Sequence, residues 1–260
     1  MLKNELAPFL RSLSGQIIKS TQLRVFGLGE GAAAERLGKL VDLANPTVAT
    51  YAGSGEMFVK ISAKAGSEAE ADQLLEPVVA QALEAVGEFA YGRDVGSLEE
   101  KLVSILRKRR LAVATAESCT GGLVAKRLTD QPGASEIFHL GVVAYANEAK
   151  IRLLGVSQET LAKHGAVSRE TAAEMALGVK NLAKSDFGIG VTGIAGPGGG
   201  TPEKPVGLVY VALAADRIHV SKLAPWGRAT GRERVRMRAA SLALDMLRRH
   251  LDGRPILAEV

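Results

Sequence analysis

Leu111-Ala-Val-Ala-Thr-Ala-Glu-Ser-Cys-Thr-Gly-Gly-Leu-Val-Ala-Lys-Arg-Leu-Thr129 is the stretch of sequence that decides the fold. The apolar run Leu111–Ala114 predicts a strand, and Leu123–Thr129 predicts a helix. The polar turn between them places Ser118 at the carboxyl end of the strand, beside the free backbone amides that begin the helix. A hydroxyl beside unpaired amides is typical of an acyl-transfer site, although a serine that only caps a helix has the same local sequence. Both interpretations stay open on this stretch alone.

Strands and helices alternate on both sides of this stretch, through residues 96–260. The other predicted helices are Ser97–Arg109, Asn147–Leu154, Ser168–Leu182 and Gly231–Leu251. The other predicted strands are Leu140–Tyr145, Phe187–Ile194, Leu208–Ala214 and Ile218–Leu223. This alternation predicts a layered α/β/α domain, and a hairpin formed by the last two strands makes its sheet mixed.

Residues 1–95 predict a smaller α+β domain that precedes the α/β/α domain. Helices are expected at Leu2–Leu13, Ala32–Leu43 and Ser67–Phe89. Strands are expected at Leu23–Leu28, Val48–Tyr51 and Met57–Ala63, with a tight turn at Gly53–Gly55. The polar stretch Tyr91–Asp94 is expected to be flexible and to end this domain.

The composition predicts a soluble globular protein of the reducing cytoplasm. Of the 260 residues 47% are hydrophobic, and no apolar stretch is long enough to span a bilayer. Met1–Pro8 lacks the apolar segment of a secretory signal. Cys119 is the only cysteine, which excludes an internal disulfide and argues against a cysteine-based zinc site. The four histidines are scattered without metal-ligand spacing, so no metal site is expected.

The net charge of +5 is unevenly distributed along the chain. Residues 1–96 hold nine basic and twelve acidic residues, whereas the remainder holds 24 basic and 16 acidic ones. The arginines near the end of the chain are Arg228, Arg232, Arg234, Arg236, Arg238, Arg248 and Arg249. Such a patch attracts nucleic acid or phosphorylated small molecules, or it forms a solvated helix face, which we favour slightly.

A second candidate stretch, Tyr145-Ala-Asn-Glu-Ala-Lys150, follows an apolar strand. If Asn147 caps the next helix, Tyr145 and Lys150 lie near the carboxyl edge of the sheet, where open α/β folds place their sites. A lysine partly removed from water has a lowered pKa and accepts a proton from a serine, which a tyrosine can relay. Spacing alone favours the alternative, in which Lys150 is a solvated helix residue and Tyr145 an amphipathic edge residue.

The third candidate stretch, Val191-Thr-Gly-Ile-Ala-Gly-Pro-Gly-Gly-Gly-Thr-Pro202, follows a strand and offers many amides with few side chains. Such a loop can wrap a phosphate or a ribose, and Lys204 just beyond it would add a positive charge. A crossover loop without a ligand is equally consistent with the pattern.

Several familiar catalytic schemes are absent from the sequence. Ser118 lies in neither a Gly-x-Ser-x-Gly elbow nor a Ser-x-x-Lys motif, and the chain has no GxxxxGK[ST] phosphate loop. Cys119 is predicted to be a small buried apolar residue, which leaves Ser118 as the stronger candidate for a nucleophile.

These stretches occur together, and in this order, in one known family. Roughly residues 97–250 resemble the carboxyl-terminal domain of the CinA (competence/damage-inducible) family through five motifs: Ala116-Glu-Ser-Cys-Thr-Gly-Gly122, Tyr145-x-Asn-x-x-Lys150, His164-Gly-Ala-Val-Ser168, Val191-Thr-Gly-Ile-Ala-Gly-Pro197 and Pro205-Val-Gly-Leu-Val-Tyr210. Residues 1–95 resemble the small KH-like domain of the same family through two motifs, Phe26-Gly-Leu-Gly-Glu30 and Asn45-Pro-Thr-Val-Ala-Thr-Tyr51. The molybdopterin-binding-like domain that precedes it in CinA has no counterpart in this sequence.

The resemblance implies a nicotinamide-nucleotide amidohydrolase. Such an enzyme converts nicotinamide mononucleotide to nicotinic acid mononucleotide and ammonia. Carried over by motif, Ser118 is the nucleophile that attacks the carboxamide carbon. Lys150, assisted by Tyr145, accepts the serine proton and helps to protonate the departing ammonia.

The resemblance also implies which residues surround the substrate. Thr192 joins the catalytic set, and its hydroxyl or the amides around Gly121 and Gly122 would stabilise the oxyanion. Glu117 is expected to face the positively charged nicotinamide ring. The remaining residues assigned to the substrate are Thr120, Asn147, Gly196, Gly198, Gly199, Gly200 and Lys204.

The resemblance implies no metal or organic cofactor, a homodimer, and a small pyridine mononucleotide as the partner. Neither a membrane nor a nucleic acid is expected as a partner, since residues 1–96 are acidic and lack the Gly-x-x-Gly of RNA-binding KH domains. The chain departs from the family where Ala229-Thr-Gly-Arg-Glu-Arg234 replaces a Gly-Asp-Arg step before the last helix. The alternatives are a nucleic-acid-binding or competence-related adaptor, and a scaffold that keeps the fold without turnover.

Overall fold

The computed structural model describes residues 15–53, 56–225 and 231–260, and it forms two compact units that divide between Val95 and Gly96. The predicted helix Leu2–Leu13 and most of the predicted turn Gly53–Gly55 lie outside the described residues. None of the described helices combines the length and the apolar character that crossing a bilayer demands.

The first unit contains an antiparallel four-stranded sheet. Its elements are β1 (Ile17–Val25), α1 (Glu30–Leu37), β2 (Thr47–Ala52), β3 (Met57–Ala65), α2 (Glu68–Val86) and β4 (Ala90–Arg93), and the strand order is β2-β3-β1-β4. Every second residue of β3 is buried, because side chains alternate between the two faces of a strand. The buried face packs with apolar positions of α2 in one core, which includes Ile61, Leu75 and Val79.

The stretch Tyr91–Asp94, predicted to be flexible, lies mostly in strand β4, so that prediction was wrong. β4 pairs antiparallel with β1. The Tyr91 side chain is buried and its hydroxyl donates to the Glu56 carboxylate, while Arg93 forms an ion pair with Glu76. A polar segment this short becomes a strand only because β1 supplies its hydrogen-bond partners, and local sequence does not reveal such a partner.

The second unit contains a five-stranded mixed sheet. Its elements are α3 (Leu98–Arg109), β5 (Val113–Glu117), α4 (Leu123–Thr129), β6 (Phe138–Val143), α5 (Asn147–Leu154), α6 (Gln158–His164), α7 (Arg169–Ala183), β7 (Phe187–Gly193), β8 (Val209–Ala214), β9 (Ile218–Leu223) and α8 (Arg232–Leu251). The strand order is β6-β5-β7-β8-β9. The first three of these strands are parallel, and β8 and β9 are antiparallel, which confirms the mixed sheet with its hairpin.

Helices cover this sheet in the layered α/β/α arrangement that the sequence predicts. Helix α7 packs on β5, β7 and β8 with α5 beside it, whereas α8 packs against α3, α4 and β8. The close approach of α7 to the sheet requires glycine on β7. A Cβ atom added to Gly190 would come within 2.3 Å of the Ala172 carbonyl oxygen, which is far inside van der Waals contact.

Two boundaries near the candidate site differ from the predictions. Strand β5 begins and ends later than the predicted Leu111–Ala114, because pairing with both neighbouring strands continues to Glu117. Asn147 does not cap α5 as predicted. It is the first helical residue, and Ala146 occupies the N-cap without a side-chain hydrogen bond.

Helix α8 is buried along much of its length, so the interpretation of its arginines as a solvated face was wrong for two of them. Arg248 and Arg249 are fully buried and share the carboxylate of Asp245. Arg248 Nη2 lies 2.6 Å from Asp245 Oδ1, and Arg249 Nε lies 2.7 Å from Asp245 Oδ2. Buried cations are costly unless they are paired and hydrogen-bonded, and here Asp245 is helped by Asp252, which pairs with Arg248, and by the Pro255 carbonyl, which accepts from Arg249.

We expect Asp245→Asn to lower the free energy of unfolding by about 3 kcal/mol, because it removes the buried carboxylate that Arg248 and Arg249 share and leaves Arg248 only the longer ion pair with Asp252 at 3.4 Å. Urea unfolding of the parent chain and of the variant measures the loss of stability. The control is Asp130→Asn, which removes the same charge from the exposed ion pair with Lys126. It should change stability by no more than about 0.5 kcal/mol. Equal losses in the two variants would contradict the structural role of Asp245.

Candidate active site

The turn that carries Ser118 is held by Glu117, the last residue of β5. The Glu117 side chain is buried, and its two carboxylate oxygens accept the backbone amides of Val124 at 3.0 Å and Ala125 at 2.8 Å. A carboxylate at the amino terminus of a helix satisfies amides that have no partner inside the helix. Because both oxygens bind α4, the expected contact between Glu117 and a pyridinium ring loses its support.

Ser118 lies at the point where three parallel strands end side by side. Its amide donates to the Val191 carbonyl at 2.9 Å, and the amide of Ala144 donates to the Glu117 carbonyl at 2.9 Å. This pairing places Ser118 level with Ala144 on one side and Thr192 on the other. Ser118 is 9% exposed, and its hydroxyl has no hydrogen-bond partner in the part of the chain that the structure describes. The hydroxyl is therefore available for chemistry.

Lys150 is buried beside this turn and is not the solvated residue that spacing alone favoured. It is 1% exposed, and its Nζ donates to the carbonyls of Ala144 at 3.0 Å and Tyr145 at 3.1 Å. Burial lowers the pKa of Lys150, while the nearby groups of Cys119 and Glu148 act in the opposite direction. The structure therefore places a lysine with a lowered pKa against Ala144, the residue that is level with Ser118.

Tyr145 contributes its backbone, and not its hydroxyl, to the surroundings of Lys150. The side chain is 63% exposed, and its hydroxyl accepts a hydrogen bond from Arg232 Nη2 at 3.1 Å. These contacts therefore do not support the predicted proton relay from Ser118 through the tyrosine hydroxyl. They agree with the alternative interpretation, in which Tyr145 is an amphipathic residue at the edge of the sheet.

Thr192 binds the loop that follows α6, and Lys204 binds the last residue of α6. The Thr192 hydroxyl donates to the Ala166 carbonyl at 2.6 Å, and Lys204 Nζ donates to the His164 carbonyl at 2.6 Å. A hydroxyl has a single hydrogen, so Thr192 in this arrangement cannot also donate to an oxyanion. Asn147, the remaining polar residue assigned to the substrate outside the turn, is exposed at the start of α5.

Thr120, Gly121 and Gly122 complete the turn. Gly121 and Gly122 have φ values of +59° and +91°, in the region that glycine adopts without steric cost. The Gly121 amide donates to the Ser118 carbonyl, but the Gly122 amide has no partner among the described residues. Gly122 is half-buried, whereas the Thr120 hydroxyl is fully buried without a partner in that part of the chain. Unsatisfied buried donors are rare in native proteins and often mark a place where a ligand binds.

The glycine-rich loop after β7 divides into a packed and an open part. Gly196 is buried with φ +83°, and an added Cβ would lie 2.5 Å from Val206 Cγ1. Gly198, Gly199 and Gly200 are exposed, and an added Cβ at Gly198 would meet nothing within 4 Å. An added Cβ at Gly200 would come within 2.8 Å of the Val206 amide nitrogen, so the room for a ligand lies beside Gly198.

Two arginines contact the candidate loops, although the sequence identified them only as members of a basic patch. Arg232 Nη1 donates to the Gly196 carbonyl at 2.9 Å, and Arg236 Nη2 donates to the Thr120 carbonyl at 2.7 Å. The two arginines are four positions apart on α8 and so share one helix face. The sequence could have shown through this spacing that the two arginines share a face. It could not show that this face contacts the serine turn and the glycine-rich loop.

Cys119 is buried, as predicted, and burial is the main cause that raises the pKa of its thiol to about 12. The reactive form of cysteine is the thiolate, so a thiol held in its protonated form is a poor nucleophile. This leaves Ser118 as the nucleophile candidate in the turn.

The fold and these side chains define an α/β/α domain with a serine turn beside a buried lysine. The family model described as the CinA C-terminal domain matches residues 95–251, and the damage-inducible protein CinA KH domain matches residues 20–92. The chain belongs to the CinA family.

Similar proteins carry the same family name. A CinA-like protein of Desulfovibrio desulfuricans is 53% identical over 99% of this chain and 61% of its own length. A CinA-like protein of Kosmotoga olearia is 46% identical over 96% of this chain and 61% of its own length. The chain thus spans about three fifths of the length of these curated relatives.

Solved structures are similar to about three fifths of the chain. The competence/damage inducible protein CihA of Agrobacterium tumefaciens is 43% identical, with a TM-score of 0.57 over 60% of this chain and 93% of that one. A CinA superfamily protein of Klebsiella pneumoniae is 35% identical, with the same TM-score over 60% of this chain and 96% of that one. These similarities support the fold and the family.

We expect Glu117→Gln to lower the free energy of unfolding by about 1–3 kcal/mol, because the glutamine NH2 group would face a helix amide that needs an acceptor. Urea unfolding measures the loss. Glu159→Gln is the matched control, since Glu159 is an exposed carboxylate in the first turn of α6. If the control lost as much stability as Glu117→Gln, the two amide contacts would not be what holds the turn.

Proposed function

We propose that this chain is an amidohydrolase that converts nicotinamide mononucleotide and water to nicotinic acid mononucleotide and ammonia. Ser118 is the nucleophile, and Lys150 is the general base. The observation that carries the proposal is the buried amine of Lys150, hydrogen-bonded to the carbonyl of Ala144, the residue level with Ser118 across β5 and β6. The substrate itself is carried over from the family resemblance.

The contacts of Lys150 suit a neutral amine. A neutral amine has two hydrogens and one lone pair, and the Ala144 and Tyr145 carbonyls accept two hydrogen bonds from Nζ. The lone pair is then left to accept a proton from Ser118. Because burial lowers the pKa of Lys150, the neutral form is reached at a lower pH than for a solvated lysine.

The reaction follows from these assignments in two stages. Ser118 Oγ attacks the carboxamide carbon while Lys150 takes the serine proton. Lys150 then returns this proton to the nitrogen, the C–N bond breaks, and ammonia leaves behind an ester on Ser118. Water attacks the ester with its proton passing to Lys150, and the serine oxygen regains a proton as the carboxylic acid leaves.

The negative oxygen of each tetrahedral intermediate requires hydrogen-bond donors. Thr192 and the Gly121 amide already donate within the chain, to Ala166 and Ser118. We assign this role to the Gly122 amide, which belongs to a half-buried residue and has no acceptor among the described residues. The Thr120 hydroxyl also lacks an acceptor there, but it is fully buried and out of reach of a substrate oxygen. This replaces the oxyanion donors that the sequence analysis assigned to Thr192 and Gly121.

The phosphate of the mononucleotide requires positive charge near the turn. Arg232 and Arg236 supply it, since each binds a carbonyl of a candidate loop through part of its guanidinium group. A guanidinium group carries five N–H donors, so both residues keep donors for a phosphate. The same contacts weaken the adaptor alternative, because they direct part of the basic patch toward the serine turn. The homodimer implied by the resemblance stays a prediction.

We expect Ser118→Ala to reduce ammonia release from nicotinamide mononucleotide by about 10⁴-fold or more, because it removes the oxygen that attacks the carboxamide carbon. Cys119→Ala is the matched control, since it removes the neighbouring heteroatom and should keep most of the activity. A coupled assay of ammonia measures both. Loss of activity in the control with retention in Ser118→Ala would overturn the assignment of the nucleophile.

We expect the rate of the parent chain to fall as the pH drops through the lowered pKa of Lys150, because the protonated amine cannot accept the serine proton. Lys150→Met should lose about 10²–10⁴-fold in kcat and lose this acidic limb. Lys163→Met, at an exposed lysine of α6, should keep both the rate and the limb. A Lys150→Met variant with an unchanged pH profile would exclude Lys150 as the base.

A further inference from the structure

Three side chains that are separated in sequence meet at the end of the β8–β9 hairpin. Asp216 lies in the hairpin turn, His219 in β9, and His250 in the last turn of α8. One ligand atom from each of the three lies within 4.8 Å of the others. The histidine positions show no metal-ligand spacing in the sequence, from which no metal site was expected. The fold nevertheless brings two of the histidines together, because β9 and the end of α8 meet.

This cluster is separate from the candidate active site. Ala214, the last residue of β8, pairs with Gly188 near the beginning of β7, whereas Ser118 bonds to Val191 near the end of β7. The cluster and the serine turn therefore lie toward opposite ends of the same sheet. No step of the proposed hydrolysis uses the cluster.

We propose that Asp216, His219 and His250 form a binding site for a transition-metal dication of the zinc type. Two imidazole nitrogens and one carboxylate oxygen are ligands that Zn²⁺, Co²⁺ and Ni²⁺ prefer, whereas Mg²⁺ and Ca²⁺ prefer oxygen ligands. The carboxylate brings a negative charge to the site. Three protein ligands leave a further coordination position for water, in a place where Asp216 is exposed.

The rings of the two histidines are held by packing. The His250 ring meets the Phe187 ring edge-on with centroids 5.5 Å apart, and the His219 ring with centroids 5.7 Å apart. Packed rings lose less conformational freedom when they bind a ligand. The metal would then join the hairpin to the end of α8.

Two positively charged side chains near the cluster oppose the binding of a metal cation. Arg217 Nε donates to His219 Nε2 at 3.4 Å, so this nitrogen carries the lone pair that a metal requires. Arg217 is exposed and can leave when a metal binds, but its charge opposes the metal. Lys180 Nζ, held by the Ala215 carbonyl, adds further positive charge beside the turn. Removing the charge of Arg217 should therefore strengthen binding.

The test is isothermal titration of the full chain, without an affinity tag, with ZnCl2 and separately with MgCl2. We expect Zn²⁺ to bind with one site per chain and to raise the Tm, and Mg²⁺ to do neither. His219→Gln and Asp216→Asn should each weaken Zn²⁺ binding at least about tenfold, and Arg217→Gln should strengthen it. His139→Gln, at an exposed histidine of β6, is the matched control and should bind like the parent.

CoCl2 gives a second measurement that does not depend on stability. Co²⁺ bound by histidine should show ligand-field absorption in the parent chain and in His139→Gln, and lose it in His219→Gln and His250→Gln. Because Asp216 is exposed in a turn, Asp216→Asn keeps the test valid if a histidine variant fails to fold. Equal Zn²⁺ affinity in the parent, His219→Gln and Asp216→Asn would overturn the proposal, and so would equal binding of Mg²⁺.

Discussion

The hydrogen bonds from the Val124 and Ala125 amides to the Glu117 carboxylate are the contacts on which the candidate site depends. They connect the last residue of a central strand to the first turn of the following helix. The intervening residues must then close a tight turn, which the positive φ of Gly121 and Gly122 allows. Ser118 is the first residue of that turn, so its position follows from a buried charge that takes no part in the chemistry.

The same strand ends also position the candidate base. The Ala144 amide binds the Glu117 carbonyl, and the Ala144 carbonyl accepts from Lys150 Nζ. One residue of the neighbouring strand therefore links the strand of the serine to the amine of the lysine. Because Lys150 is buried, its charged form is disfavoured, and this is the property that a general base at moderate pH requires. Parallel pairing thus sets the location of the candidate base, and burial lowers its pKa.

The sequence predicted those parts of the molecule that depend on local pattern. The α/β/α order, the closing hairpin and the turn after β5 follow from hydrophobic runs and glycine positions, and family motifs singled out Ser118 and Lys150. It did not predict the direction of side chains that long-range contacts decide. Tyr145 turns outward to Arg232, and Thr192 donates to Ala166, because elements distant in sequence supply these partners. Strand β4 was missed for the same reason.

Helix α8 shows how one element can serve distant parts of a domain. Its first turns bring Arg232 and Arg236 to the glycine-rich loop and the serine turn. Such contacts need a helix whose rotation and depth are fixed, since a shift of one residue would turn both guanidinium groups away. Contacts from other helices supply that constraint, since Arg127 of α4 donates to Ser241 Oγ at 2.7 Å and Arg109 of α3 donates to the Leu251 carbonyl at 2.8 Å. The position of Arg232 and Arg236 at the serine turn therefore depends on how the later turns of α8 are attached to α3 and α4.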